Sequence, residues 1–178
     1  NNYDEQAQAA LPAKILGSIV HRALELYRGD LDIALSAAIA QYAPSYQGEA
    51  AKIMLEKYLA SAIYQELAKK QMRELPFFLT IGDGLLISGI IDCLCENTDG
   101  TLTIVDYKTG RPPEDGEAGL GYSYQLALYK AAVESRLQKK VKQAQLHFLR
   151  NLSVWNLPDD KDYLQEAVAL CQEIGSKG

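Results

Sequence analysis

The 178-residue sequence is short of several things at once, with three cysteines, two histidines, one tryptophan and no surplus of positive charge. Three thiols in a chain of this length build no disulfide framework, and an odd count without a secretory leader points to a reducing, cytoplasmic compartment. Eighteen Lys and Arg against 23 Asp and Glu leave a formal charge of −5. That balance excludes bulk positive charge as a way of holding nucleic acid, so any contact with a polyanion has to come from local sites. No apolar run approaches the roughly 18 residues that cross a bilayer, and no membrane partner is expected. A Gly-x-x-x-x-Gly-Lys-Ser/Thr phosphate loop is missing, which excludes an ATP-driven motor in this stretch. Internal repeats, low-complexity tracts and linkers are missing too. What is there, 48% apolar and 23% charged residues, is the composition of one globular domain with a real core. The first residue is Asn1 rather than Met, and we expect residues 1–178 to be a single domain cut from a longer polypeptide.

Hydrophobic period divides the chain. Ile15, Leu16, Ile19, Val20, Ala23, Leu24 and Tyr27 recur at helical spacing from Pro12 to Tyr27, and a second, Ala-rich helix is expected over Leu31 to Gln41. Pro44-Ser45 reads as a break and N-cap for a long helix whose stripe is Ile53, Met54, Leu55, Tyr58, Leu59, Ile63 and Leu67. From Leu75 the period changes to two. Pro76 to Ile81, Leu85 to Glu96 and Thr101 to Lys108 read as strands, joined by turns at Gly82-Asp83-Gly84 and Asn97-Thr98-Asp99-Gly100. Beyond a loop from Thr109 to Gly119, a helix over Tyr122 to Leu137, strands at Val141 to Leu149 and Val154 to Leu157, and a helix over Tyr163 to Ile174 complete the pattern. The expected class is α/β, with a three-strand antiparallel meander and later strands in a mixed central sheet flanked by helices.

Charge then appears where a core should be. Side chains alternate along a strand, yet the second and third strands are apolar on both faces, so Asp92, Asp106 and Lys108 are expected in a core or at its edge. Ionised groups there are costly unless paired or bound to a metal. A hairpin closed around Asp99-Gly100 puts Asp92 opposite Tyr107 or Asp106, at a Cα separation of about 4.5–5.5 Å for a direct pair. Ordinary strand-end capping and ion pairing explain either aspartate alone. Both together, with Lys108 two residues on, form the set that hydrolyses a phosphodiester. Carboxylate oxygens hold Mg²⁺ or Mn²⁺, which binds the scissile phosphate and acidifies water, while the ammonium orients that water and offsets transition-state charge.

These residues carry a resemblance. Gly89-Ile90-Ile91-Asp92 followed by Ile104-Val105-Asp106-Tyr107-Lys108-Thr109-Gly110 resembles the core of the PD-(D/E)XK nuclease superfamily, in particular its RecB-like branch, which includes AddA-like helicase–nucleases. Gly17-Ser18-Ile19-Val20-His21 resembles that branch's Gly-x-x-x-His element, and Gln125 to Tyr129 resembles its Gln-x-x-x-Tyr element. The resemblance implies a restriction-endonuclease-like core. It implies a metal-dependent deoxyribonuclease, an exonuclease acting on double-strand ends for recombinational repair, with Mg²⁺ or Mn²⁺ held by His21, Asp92, Asp106 and the Tyr107 carbonyl. Lys108 would attend the nucleophilic water, Gln125 would orient the lysine or the water, and Tyr129 and Tyr122 would face the substrate backbone. Packing at helical spacing also explains Tyr122, Gln125 and Tyr129. Glu74 matches an acidic position at the start of the first strand, and it is open whether it is a further acid near the metal or a rim charge. The implied partners are DNA, the helicase motor domain of the same chain and a second helicase–nuclease subunit.

Two other readings stay open: a nuclease-fold module that binds DNA or scaffolds a helicase complex without chemistry, and a stand-alone exonuclease. Cys93, Cys95 and Cys171 are too few for the four-cysteine iron–sulfur cluster of some relatives, and buried apolar thiols are expected instead. His147 is expected to pack or face solvent, and Trp155 to plug the core. Lys69, Lys70, Arg73, Lys139, Lys140, Lys142 and Arg150 are the basic residues available to track a phosphate backbone, although a solvated helix end explains them equally well.

Overall fold

A computed structural model describes residues 11–82, 84–113 and 117–176. Asn1, Asp83 in the first expected turn and residues 114–116 of the expected loop lie outside the described residues. The chain divides into two compact units, Asn1–Glu56 and Lys57–Gly178.

The first unit is helical. Helix α1 (Ala13–Leu26) buries Ile19, Val20, Ala23 and Leu24, which share one face at this spacing. Helix α2 (Leu31–Tyr42) is capped by Asp30, whose carboxylate accepts the Ile33 N–H at 3.0 Å. Helix α3 (Glu49–Ala60) starts four residues later than the expected cap at Ser45. Gly48, at φ +83°, turns the chain into it, and the Tyr46 hydroxyl accepts the Ala51 N–H at 3.2 Å, so a tyrosine does the work assigned to a serine. Nor does the helix run on to Leu67. It breaks at Ser61, whose hydroxyl donates back to the Tyr58 carbonyl at 2.5 Å, and a single further turn follows, α4 (Ala62–Gln65); from Lys57 on, these residues belong to the second unit.

The second unit holds a five-stranded sheet in the order β1-β2-β3-β4-β5. Strands β1 (Gln71–Ile81), β2 (Leu85–Glu96) and β3 (Leu102–Lys108) form the antiparallel meander. Helix α5 (Glu117–Leu137) then crosses over to β4 (Val141–Phe148), which pairs parallel to β3, and β5 (Ser153–Asn156) closes antiparallel before α6 (Tyr163–Gly175). The sheet is mixed and helix-flanked, as expected. Strand β1 begins earlier than its apolar alternation because Gln71, Met72 and Arg73 pair with Cys95, Leu94 and Cys93. Against one face of the sheet, Leu126, Tyr129, Ala132 and Val133 of α5 pack on Leu94, Leu102, Ile104, Leu146 and Phe148. On the other face Tyr58 packs edge-on against Tyr107 and His147.

One irregularity prepares the site. Phe77 and Ile91 join the same core cluster as Leu94 and Ile104. Residues 91 and 94 of a regular strand face opposite ways, so the pleat of β2 is interrupted between them, beside Asp92. In β1 the residue in register with Asp92, lying between the pairs Arg73↔Cys93 and Leu75↔Ile91, is Glu74, and it sits at φ +50°. Beyond this point the outer half of the hairpin has one open face. Phe78 of β1 is 65% exposed, and Ile90 of β2 is 52% exposed where the sequence pattern of that strand predicts cover on both sides.

Candidate active site

Strands β2 and β3 pair from Glu96↔Leu102 to Cys93↔Val105, and there the ladder ends. The next register position joins Asp92 to Asp106, the second of the two alternatives the sequence allows. Instead of a backbone bond, the Asp92 carboxylate Oδ2 accepts the Tyr107 N–H at 2.7 Å. A side chain thus takes over a ladder position and brings its charge to β3.

Asp106 is 4% exposed, and Lys108 Nζ lies 2.7 Å from its Oδ2. The lysine side chain keeps 24% of its surface in contact with solvent, so the pair spans the boundary between core and water. Lys108 Nζ also reaches Gln125 Oε1 at 3.5 Å, the outer limit of a hydrogen bond, and lies 5.3 Å from the centre of the Tyr122 ring. Gln125 Nε2 donates to the Tyr129 hydroxyl at 2.9 Å. Helical spacing on α5 therefore delivers Tyr122, Gln125 and Tyr129 to the lysine rather than to packing alone.

Burial is the main cause that raises the Tyr129 phenol to about 12, and the negative charges of Asp106, Asp92 and Glu74 add to it. It stays a neutral phenol at any physiological pH. Glu74 thus acts on the same phenol as the two aspartates. A glutamate held at positive φ, in register with Asp92, is a strained backbone at a cluster of like charges. Phe77 buttresses the arrangement, packing edge-on against Tyr129 at 5.1 Å between ring centres. It lies over Gly89, where an added Cβ would stand 2.7 Å from the Phe77 ring.

Asp92, Asp106, Lys108, Gln125, Tyr122 and Tyr129 are thus linked within the second unit, with Tyr107 carrying the backbone bond and Glu74 in register. His21 lies on α1 in the first unit, half-buried, with Nδ1 2.9 Å from the Gly17 carbonyl. Hard oxygens in this number fit Mg²⁺ or Mn²⁺, which take one or two carboxylates and fill their remaining positions with water. Among the described residues no group of three or more His, Cys, Asp and Glu closes around a single point, so a soft or fully protein-ligated ion is a poor match. Cys93 and Cys95 are buried with their sulfurs 3.7 Å apart, as expected of apolar thiols. Of the basic residues, Lys70 and Lys139 pair with Glu96 and Lys142 with Asp99. Trp155 packs on the core next to Tyr122.

The family description of the PD-(D/E)XK nuclease superfamily matches residues 2–173. The chain belongs to that superfamily. It is 40% identical over 91 residues to an ATP-dependent helicase/nuclease subunit of Pelotomaculum thermopropionicum, covering 43% of this chain and 7% of that protein. To the protein of the same name from Bacillus cereus it is 31% identical over 139 residues, covering 62% of this chain and 11% of the relative. The matched part thus spans a small fraction of these relatives. The solved structure of SSO0001 superposes with a TM-score of 0.48 and 18% identity, over 92% of this chain and 75% of the other. No helix among the described residues is long and apolar enough to cross a membrane.

His147, expected to pack or face solvent, packs against Tyr58 of the buried helical stripe behind β3. His147 is 1% exposed, and its Nδ1 is 2.8 Å from the Tyr58 hydroxyl. Tyr58 sits on an apolar helical stripe and His147 inside a strand, so local pattern assigns both to packing.

Proposed function

We propose that the chain is a Mg²⁺- or Mn²⁺-dependent deoxyribonuclease in which both units act as one nuclease domain. The observation that carries this reading is the placement of Lys108 on Asp106, with the Asp92 carboxylate bonded to the intervening Tyr107 N–H. Asp92, Asp106 and the Tyr107 carbonyl would hold the ion, with water in its remaining positions and Glu74 as a further acid at its edge. When bound, the ion supplies positive charge for the scissile phosphate and acidifies water. Lys108, tethered by Asp106 and Gln125, orients the attacking water and offsets charge developing on phosphorus. Gln125 keeps the ammonium from swinging into solvent. Tyr129, neutral and held by Gln125, presents a hydroxyl to the substrate backbone, and the Tyr122 ring confines the lysine from the side.

The relatives' names include a helicase, and their length leaves room for one. We place this chain as the nuclease part of a longer helicase–nuclease, an exonuclease acting on double-strand ends for recombinational repair in the cytoplasm. A motor domain of the same polypeptide and a second subunit would be its partners. With a charge of −5 it is expected to bind DNA weakly alone, so that a motor delivers the strand.

The test is cleavage of linear duplex and single-stranded DNA by the chain with Mg²⁺, Mn²⁺ or a chelator. Metal-dependent cleavage that Asp106→Ala and Lys108→Ala both abolish is the expected result. Robust cleavage by either variant, or cleavage untouched by chelator, overturns the assignment.

A further inference from the structure

We propose that Tyr58 and His147 are positioning residues for this site, acting through Tyr107 from the opposite face of the sheet. The inference rests on the nuclease reading above, because it concerns what holds the backbone between Asp106 and Lys108.

The donors and acceptors behind β3 can be directed one by one. Gln145 Nε2 donates to Asn156 Oδ1 at 2.9 Å, which leaves Gln145 Oε1 facing His147 Nε2 at 3.0 Å. An amide oxygen only accepts, so His147 carries its proton on Nε2 and Nδ1 is the acceptor. The Tyr58 hydroxyl, 2.8 Å away, must then donate to Nδ1. Burial holds the imidazole down at about 4, which keeps it neutral and keeps that acceptor present at pH 7. With its proton committed, the Tyr58 hydroxyl ends a row that runs Asn156, Gln145, His147, Tyr58. The Tyr107 ring packs edge-on against the Tyr58 ring at the inner end of that row.

Tyr107 is the residue whose two ends differ most. Its side chain is 3% exposed, and its ring meets the Tyr58 ring at 5.7 Å and 76°. Its backbone N–H is held by Asp92 from the strand on one side, and it stands in register with His147 in the parallel strand on the other. The Asp106 and Lys108 side chains leave the same strand one residue either way. Rotating the Tyr107 peptide therefore moves the Asp92 bond, the carbonyl and both charged neighbours together. The β2 ladder has already ended at Cys93↔Val105, so on that side the Asp92 side chain alone holds the peptide, and the β4 ladder and the packing of the Tyr107 ring on Tyr58 hold it from the other. Partners of this outer kind cost 10- to 100-fold in metal affinity or activity when removed.

The experiment compares Tyr58→Phe, His147→Leu and His147→Asn with the unmodified 178-residue chain. Asn places an oxygen near the position of Nδ1 and restores the acceptor. Three readouts are taken on samples shown by circular dichroism to be folded at the assay temperature: kcat and KM on DNA, Mn²⁺ affinity by electron paramagnetic resonance, and hydrogen exchange at the Tyr107 amide. Tyr58→Phe and His147→Leu are expected to lower kcat or Mn²⁺ affinity about ten-fold or more with KM for DNA changed less than about two-fold, and to speed exchange at Tyr107. His147→Asn is expected to recover most of the loss. Folded Tyr58→Phe with unaltered kcat, Mn²⁺ affinity and Tyr107 exchange overturns the proposal, as does failure of His147→Asn to do better than His147→Leu. If the unmodified chain neither cuts DNA nor binds Mn²⁺, the nuclease reading falls. The exchange rate at Tyr107 then still decides whether the row holds that peptide.

Discussion

The two faces of β3 solve the same problem differently. On one side Asp106 and Lys108 are ionised groups at the edge of a core, paired with each other and leaning on Gln125, with the lysine reaching water. On the other, Tyr107 packs on a row of neutral groups, buried at Tyr58 and His147 and reaching the surface at Gln145, in which these three satisfy one another. A charged pair can lose a partner and let the survivor turn outward, as a lysine does along its own stem. A buried neutral row has no such exit, and a missing member leaves a polar atom stranded. The charged face is thus the one free to exchange partners with a phosphate or an ion, and the neutral face is the one able to hold a backbone still.

The largest effect that would break this contrast is catalytic. Lys108→Ala is expected to lower kcat by about 10²–10³-fold while the chain still melts cooperatively, as measured by DNA cleavage beside calorimetry. Loss of fold in this variant would mean that the charged face is structural after all. Next comes stability. Tyr58→Phe strands the His147 acceptor and should cost about 1–3 kcal/mol in denaturant titration, whereas Asp106→Asn should cost less because Lys108 can turn to solvent. The reverse order would erase the distinction between the faces.

A pH series sharpens it further. The His147 imidazole sits at about 4 when folded against 6.5 when free, so the unfolded chain takes up the proton first. Its contribution is complete above about pH 6.5 and is lost as pH falls towards 4, with a slope approaching about 1.4 kcal/mol per pH unit. His147→Gln should flatten that limb of the stability curve, and an unchanged slope would show that the histidine is not buried neutral. The smallest effect is expected away from both faces, on the open outer hairpin. Ile90→Ser should change stability by no more than about 0.5 kcal/mol in the same titration, since this side chain is half in water already.

Much of the charged face was legible in the residues. Asp92, Asp106 and Lys108 stood out because charge interrupts strands that are apolar on both sides, and the resemblance of Gln125 and Tyr129 to a known element placed α5 against them. Glu74 was visible only as an alternative. Its positive φ and its place opposite Asp92 come from pairing with β2, which no local pattern encodes. The helix boundaries at Gly48 and Ser61 were misread because a tyrosine hydroxyl and a serine back-bond substituted for the usual capping residues. The open face at Ile90 was misread for a related reason, since an apolar run says that burial is possible and not how far a helix extends to provide it.

Residue order by itself determined which chemical groups lie one or two positions apart on β3, and hence that acid, peptide and ammonium leave the strand side by side, because a strand's alternation is set by its own backbone. Tertiary structure alone decided that Asp92 would trade its ladder bond for the Tyr107 N–H, and that Tyr58 and His147, 89 positions apart, would meet behind it. Both depend on groups brought together by packing, whose energies no short stretch of chain contains.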